Sequence, residues 1–163
     1  MLKKESSYKK YSLFLVGGLR EQDRDYFSQL QELARNEPSI ILAPNLDRKS
    51  LLKLFRESEY YWHATGLGVS EEEPELVEHF GITPLEAASS GCIVLAHDSG
   101  GPHEIFSHGK NGFLYKTQQD LYETMQLLSQ RDQTELRDNA HDLVKNTYSY
   151  TQFQKRAAEI FLS

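Results

Sequence analysis

Two carboxylates eight positions apart, Glu78 and Glu86, enclose a segment containing Phe80, Gly81, Thr83 and Pro84. Gly81 has no Cβ, so the backbone there can approach a bound group closely. Thr83 reads as a helix N-cap and Pro84 as the first helical residue, a place proline tolerates well. The unbonded amides and positive dipole end of such a helix favour an anion, phosphate above all. Carboxylates do not bind anions, but they accept hydrogen bonds from the hydroxyls of a ribose or a hexose. The local chemistry therefore suggests a sugar linked to a phosphate. Two plainer readings stand beside it. Thr83-x-x-Glu86 equally fits a capping box, with Glu86 returning a hydrogen bond to the Thr83 backbone, and Glu78 alone reads as a solvated loop carboxylate.

These residues need elements to carry them. A short helix of small residues follows Glu86 and stops at Gly91, and Cys92 to Ala96 is an apolar strand. Ser99-Gly100-Gly101-Pro102 then opens another helical turn bearing Glu104 and Ile105. This order puts both loops on one edge of a parallel sheet. Upstream, Tyr11 to Val16 reads as a buried strand ending in Gly17-Gly18, and Ser39 to Leu42 and the aromatic run Glu59 to Ala64 as further strands. Gln22 to Arg35 carries Tyr26, Phe27, Leu30, Leu33 and Ala34 at helical spacing. A second helix starts from Asp47 with Leu51, Leu52, Leu54 and Phe55. Thr65 to Val77, with the acidic run Glu71-Glu72-Glu73, is the longest unpatterned stretch. Gly112 to Tyr115 is the last strand, and Asp120 to Ser129, Glu135 to Lys145 and Thr151 to Leu162 are helices. Alternating strands and helices predict an α/β fold, a doubly wound and mainly parallel sheet, with residues 1–163 as one domain.

Composition narrows the function. A net charge of −6 leaves nucleic-acid binding without a basic footprint; the cluster Lys3, Lys4, Lys9 and Lys10 reads as a solvated terminus. A single cysteine, Cys92, rules out an internal disulfide and fits a reducing, cytoplasmic setting; its place at the start of an apolar strand makes it a core residue. No signal-peptide pattern or membrane-spanning run is present. Asp23-Arg24-Asp25 has the form of a metal-binding Asp-x-Asp but opens a helix, where acids complement the dipole. His97-Asp98-Ser99 are adjacent and cannot converge as a relay. His63, ending an apolar strand, reads as a core histidine. No histidine pair has metal-ligand spacing with a third ligand in view, so no metal is expected.

The ordered set Glu78, Phe80-Gly81, Glu86-Ala87, Gly91, Ile93-Val94, Gly100-Gly101-Pro102-His103-Glu104-Ile105 and Asn111-Gly112-Phe113-Leu114 closely resembles the C-terminal, donor-binding domain of retaining GT-B glycosyltransferases of the family-four group. The resemblance extends, more weakly, from about Leu13 to the C-terminus. It implies a Rossmann-like half of a GT-B fold that binds a UDP- or GDP-sugar and, in the whole enzyme, moves a hexosyl group with retention. Glu78, with the backbone of Phe80 and Gly81, would hold the donor sugar; Ile82 and Thr83 would face the diphosphate, and Glu86 the ribose. The turn Ala43, Pro44, Asn45 and Leu46 would lie beside the base by position. His97, Gly100, Gly101, His103 and Arg20 are candidates for the cleft. No nucleophile is assigned, since these enzymes generally lack the carboxylate pair about 5 Å apart of retaining hydrolases.

The departures carry weight too. The Gly-Arg and Lys that hold the diphosphate in the family, and the strand that bears them, have no counterpart here, and the acceptor domain is missing. The expectation is an N-terminally truncated domain, inactive alone and completed in cis or in trans, with any membrane association coming from the missing part. The absent strand lies centrally, so the strands at Tyr11 and Glu59 would close up, a partner chain would fill the gap, or the chain is a fragment. A different class of function remains: a non-catalytic nucleotide-sugar-binding subunit serving a separate acceptor-binding chain. A dehydrogenase-type Rossmann domain is disfavoured by the lack of Gly-x-Gly-x-x-Gly after a strand.

Overall fold

The computed structural model describes residues 11–70 and 72–161. The basic cluster Lys3, Lys4, Lys9 and Lys10, together with Glu71 and Leu162, lies outside the described residues. The contacts divide the chain into two compact units, one up to Leu52 and one from Lys53 onward.

In the first unit, β1 (Leu13–Gly17) pairs in parallel with β2 (Ile40–Pro44), Leu15 opposite Leu42. Between them a 3-10 turn (Glu21–Asp23) leads into α1 (Arg24–Ala34). Asp47 caps the start of α2 (Arg48–Glu57), whose residues from Lys53 belong to the second unit, its Oδ1 accepting the Lys49 and Ser50 N–H groups at 2.9 and 3.0 Å as the spacing predicts. β1 reads as a buried strand, yet Phe14, Leu15 and Val16 are exposed, as is Ile41 on β2.

In the second unit, β3 (Tyr60–His63), β4 (Ile93–His97) and β5 (Phe113–Tyr115) form a parallel sheet in the order β3-β4-β5. His63 lies opposite Ala96, and His97 opposite Tyr115, so the strand ends share one edge. β4 is central and enclosed: Ile93 to Ala96 are at most 1 % exposed. α3 (Ile82–Ser89), α4 (Gly100–Ile105) and α6 (Thr134–Leu143) all pack on β4. α5 (Gln118–Leu128) packs on β5, and a π-helical turn (Val144–Tyr148) joins α6 to α7 (Tyr150–Phe161). Phe55, Phe106, Phe113, Met125, Leu128 and Leu136 complete the core.

The parallel α/β reading holds, but the five described strands fall into two sheets, so β1 and β3 do not close up into one ladder. Cys92 is buried, its thiol donating to the Phe55 carbonyl at 3.0 Å, and burial pushes its pKa up to about 11. That confirms it as a core residue.

Candidate functional site

The helix after the Glu78 loop starts earlier than Thr83. Gly81 is the N-cap, in the left-handed region at φ 95°, ψ 57°, a conformation that a residue with a Cβ rarely adopts. The chain therefore enters α3 at Ile82, with Thr83 and Pro84 in its first turn. Neither residue suffers, because first-turn amides have no intrahelical partner and proline has none to lose. Thr83 is accordingly not the N-cap, and the Gly81 N-cap of α3 has no side-chain cap.

Glu78 is not a free loop acid. Its Oε1 accepts the N–H groups of Phe80 and Gly81 at 3.2 and 3.0 Å, so the two amides expected to face a ligand already have a partner in the loop itself. Its Oε2 lies 3.4 Å from His63 Nε2. Burial holds the His63 pKa below its ordinary value; Glu78 opposes that, and His97 reinforces it.

Glu86 lies in the second turn of α3 and shares a neighbour with Glu78. That neighbour is Tyr61 on β3, whose phenol lies within electrostatic reach of both acids. Burial, followed by the charge of Glu78 and with a smaller contribution from Glu86, pushes the Tyr61 phenol up to about 12. Glu78 and Glu86 thus flank the start of α3, one in the loop before it and one in its second turn.

The loop after β4 closes onto this arrangement through backbone contact. The Gly101 N–H donates to the Glu78 carbonyl at 2.8 Å. A Cβ on Gly100 would stand 2.2 Å from Glu78 O, and one on Gly101 2.3 Å from Phe80 O. The two glycines thus let two main chains touch. His97 borders the site from beneath, bonded to Ser99 Oγ at 2.8 Å and edge-on to Tyr115.

Other candidates sit elsewhere. His103 is exposed on α4 and bonded to Asp98 Oδ1 at 2.6 Å, with Lys116 on the other carboxylate oxygen at 3.8 Å. In the first unit, Arg20 is paired with Asp23 at 3.1 Å, which engages the first acid of Asp-Arg-Asp. Ala43 and Pro44 end β2. Asn45, at φ 55°, accepts the Leu19 N–H at 2.8 Å and serves as a turn residue; Leu46 is exposed beside it. Tyr61 is the residue sequence reasoning passed over, while His63, read as a core histidine, is buried and also reaches Glu78. The available signal was their place at the end of the strand that precedes the Glu78 loop.

Two loops meeting over a helix N-terminus, with one acid before the helix start and one after it, are the geometry on which similarity to known proteins can be judged. Residues 1–150 match the family model described as "Glycosyl transferases group 1". The chain belongs to that family. It is 31 % identical to a GDP-Man:Man(3)GlcNAc(2)-PP-Dol alpha-1,2-mannosyltransferase of Dictyostelium discoideum, over 90 % of this chain and 25 % of that one. The C-terminal domain of a group 1 glycosyl transferase from Francisella tularensis superposes with a TM-score of 0.70 at 23 % identity, covering 88 % of this chain and 74 % of that one. Anabaena Alr3699/HepE, solved in complex with UDP and glucose, superposes at 0.74 and 22 % identity, covering 93 % and 40 %. The fold of this group 1 chain is thus that of GT-B C-terminal domains, and it spans about a quarter of the length of the mannosyltransferase. No helix among its described residues is long and apolar enough to cross a membrane.

Proposed function

We propose that this chain carries the nucleotide-sugar donor site of a hexosyltransferase that acts with retention, and that an acceptor-binding domain, in cis or in trans, completes the enzyme. Alone, the chain binds donor weakly and transfers nothing. Glu78 accepts hydrogen bonds from hydroxyls of the donor sugar and Glu86 from those of the ribose. The Ile82 and Thr83 amides and the dipole of α3 face the diphosphate. Phe80 and Gly81 shape the loop, since their N–H groups already donate to Glu78. Positioning, and stabilisation of charge on the leaving diphosphate, supply the catalysis, with no metal assigned. The lone buried Cys92 fits a cytoplasmic setting.

The observation that carries this reading is the Glu78 loop, held by its own amides and by the Gly101 N–H, at the N-terminus of the helix that bears Glu86. Calorimetric titration with UDP, GDP, UDP-glucose and GDP-mannose tests it. One nucleotide series binds, and Glu86→Ala weakens both the nucleotide and its sugar conjugate about tenfold, the effect of about one charge-assisted hydrogen bond. No binding of any of the four, or binding indifferent to Glu86→Ala, overturns it. Transfer that appears only after a separate acceptor-binding chain is added identifies the subunit form of the same role.

A further inference from the structure

His63 is the last residue of β3 and is 8 % exposed, with its carbonyl accepting the Tyr115 hydroxyl at 2.9 Å. Its Nδ1 is enclosed and has no hydrogen-bond partner among the described residues. Its Nε2 has one polar neighbour in reach, Glu78 Oε2 at 3.4 Å, a long contact of the kind that tightens when a ligand closes a site. A neutral imidazole carries one N–H and one lone pair. With the proton on Nδ1, a buried donor would be orphaned and a lone pair would face a carboxylate. Double protonation would orphan the same donor. Both are costly, whereas a bare lone pair at Nδ1 is the cheaper deficit.

We propose that His63 is a positioning residue for Glu78: as the neutral Nε2–H tautomer it donates to Oε2 and fixes the carboxylate's orientation toward a ligand. The inference rests on the reading of Glu78 as the acceptor of donor-sugar hydroxyls, and it deepens that reading. A carboxylate offers about four acceptor positions. Here the Phe80 and Gly81 amides take two on Oε1 and His63 takes one on Oε2. The Glu78 side chain is 32 % exposed, so one acceptor position on Oε2 is left for a sugar hydroxyl. Three donors on two separate segments, the end of β3 and the loop before α3, hold that direction. Without His63, the side chain keeps only its own loop as a brace.

Two measurements test this. In the unliganded chain, nitrogen NMR of the His63 ring near neutral pH shows the Nε2–H tautomer, and Glu78→Gln shifts its signals. The Nδ1–H tautomer, or signals indifferent to Glu78→Gln, overturns the inference without reference to any ligand. In titrations, His63→Leu weakens UDP-glucose or GDP-mannose about tenfold, and leaves UDP or GDP within about twofold. His63→Gln, whose amide N–H can reach the same oxygen, restores most of the loss; equal loss with Leu and Gln overturns positioning by hydrogen bond. If Glu78→Ala weakens only the sugar conjugate while His63→Leu does not, this inference fails and the donor-site reading stands. If the wild-type chain binds none of the four, the donor-site reading fails and takes this inference with it.

Discussion

The strand β4 (IVLAH) and the strand β1 (LFLVG) are nearly interchangeable as strings of apolar residues, yet they live in different worlds. β4 has a partner on each side and helices packed against it, and Val94 and Leu95 are fully buried. β1 has β2 as its one paired neighbour, and Phe14, Leu15 and Val16 are 37–41 % exposed. The contrast extends to the units themselves. Every buried side chain among the described residues belongs to the unit from Lys53 onward, and so does the site. Apolar composition makes a strand eligible for a core, but the number of covered faces decides whether it becomes one.

The sharpest way to break this comparison is a pair of truncations read by chemical denaturation. Leu95→Ala opens a cavity in a closed core and should cost about 2–5 kcal/mol. Leu15→Ala, at a position already 37 % exposed, should cost less than about 1 kcal/mol. Equal losses would show that the first unit has a core of its own.

Next in size is a pair of glycines. An added Cβ at Gly101 meets the Phe80 backbone at 2.3–2.6 Å, whereas nothing lies within 4 Å at Gly17. Gly101→Ala is expected to destabilise by about 3 kcal/mol and to abolish discrimination between nucleotide and nucleotide-sugar, because it pushes the Glu78 loop away. Gly17→Ala should be neutral, or stabilising by about 0.5 kcal/mol. Thermal denaturation of both variants checks this.

A smaller effect is expected at Asn45, in the turn after β2. Asn45→Ala removes its bonds to Leu19 and leaves an alanine at φ 55°. The expected cost is about 1–2 kcal/mol, and amide exchange in β1 and β2 should accelerate while β4 stays protected.

The smallest effect is a pH dependence. Burial lowers the folded-state pKa of His63 below its ordinary 6.5, so the unfolded chain takes up the proton first. The contribution of neutral His63 is therefore fully present above about pH 6.5 and declines as pH falls from there toward the lowered folded value. His63→Gln should flatten the wild-type slope in that window, and melting curves at stepped pH measure it.

Much of this was legible in the residues. The order of strands and helices, the parallel pairing, the Asp47 cap and the burial of Cys92 all follow from period and local propensity. These act over a few residues and survive any arrangement of the rest. The motif that carries the family resemblance is equally local, and with it the prediction that the loops after Val77 and His97 share an edge. Boundaries shifted where a backbone conformation intervened. Gly81 in the left-handed region moved the helix start ahead of Thr83, which is therefore not the N-cap.

What the residues alone determined, then, is a parallel α/β chain of the group 1 glycosyl transferases with two acids bracketing a helix start. What the tertiary structure decided is where those acids sit: Glu78 on its own loop amides with His63 3.4 Å away, and Glu86 in the second turn of α3. It also divided the strands between two sheets. The reason is range. His63 and Glu78 are fifteen positions apart and Tyr115 and His63 fifty-two. Contacts at such separations depend on strand register and on whether two backbones can touch, and no short pattern of residue types encodes either.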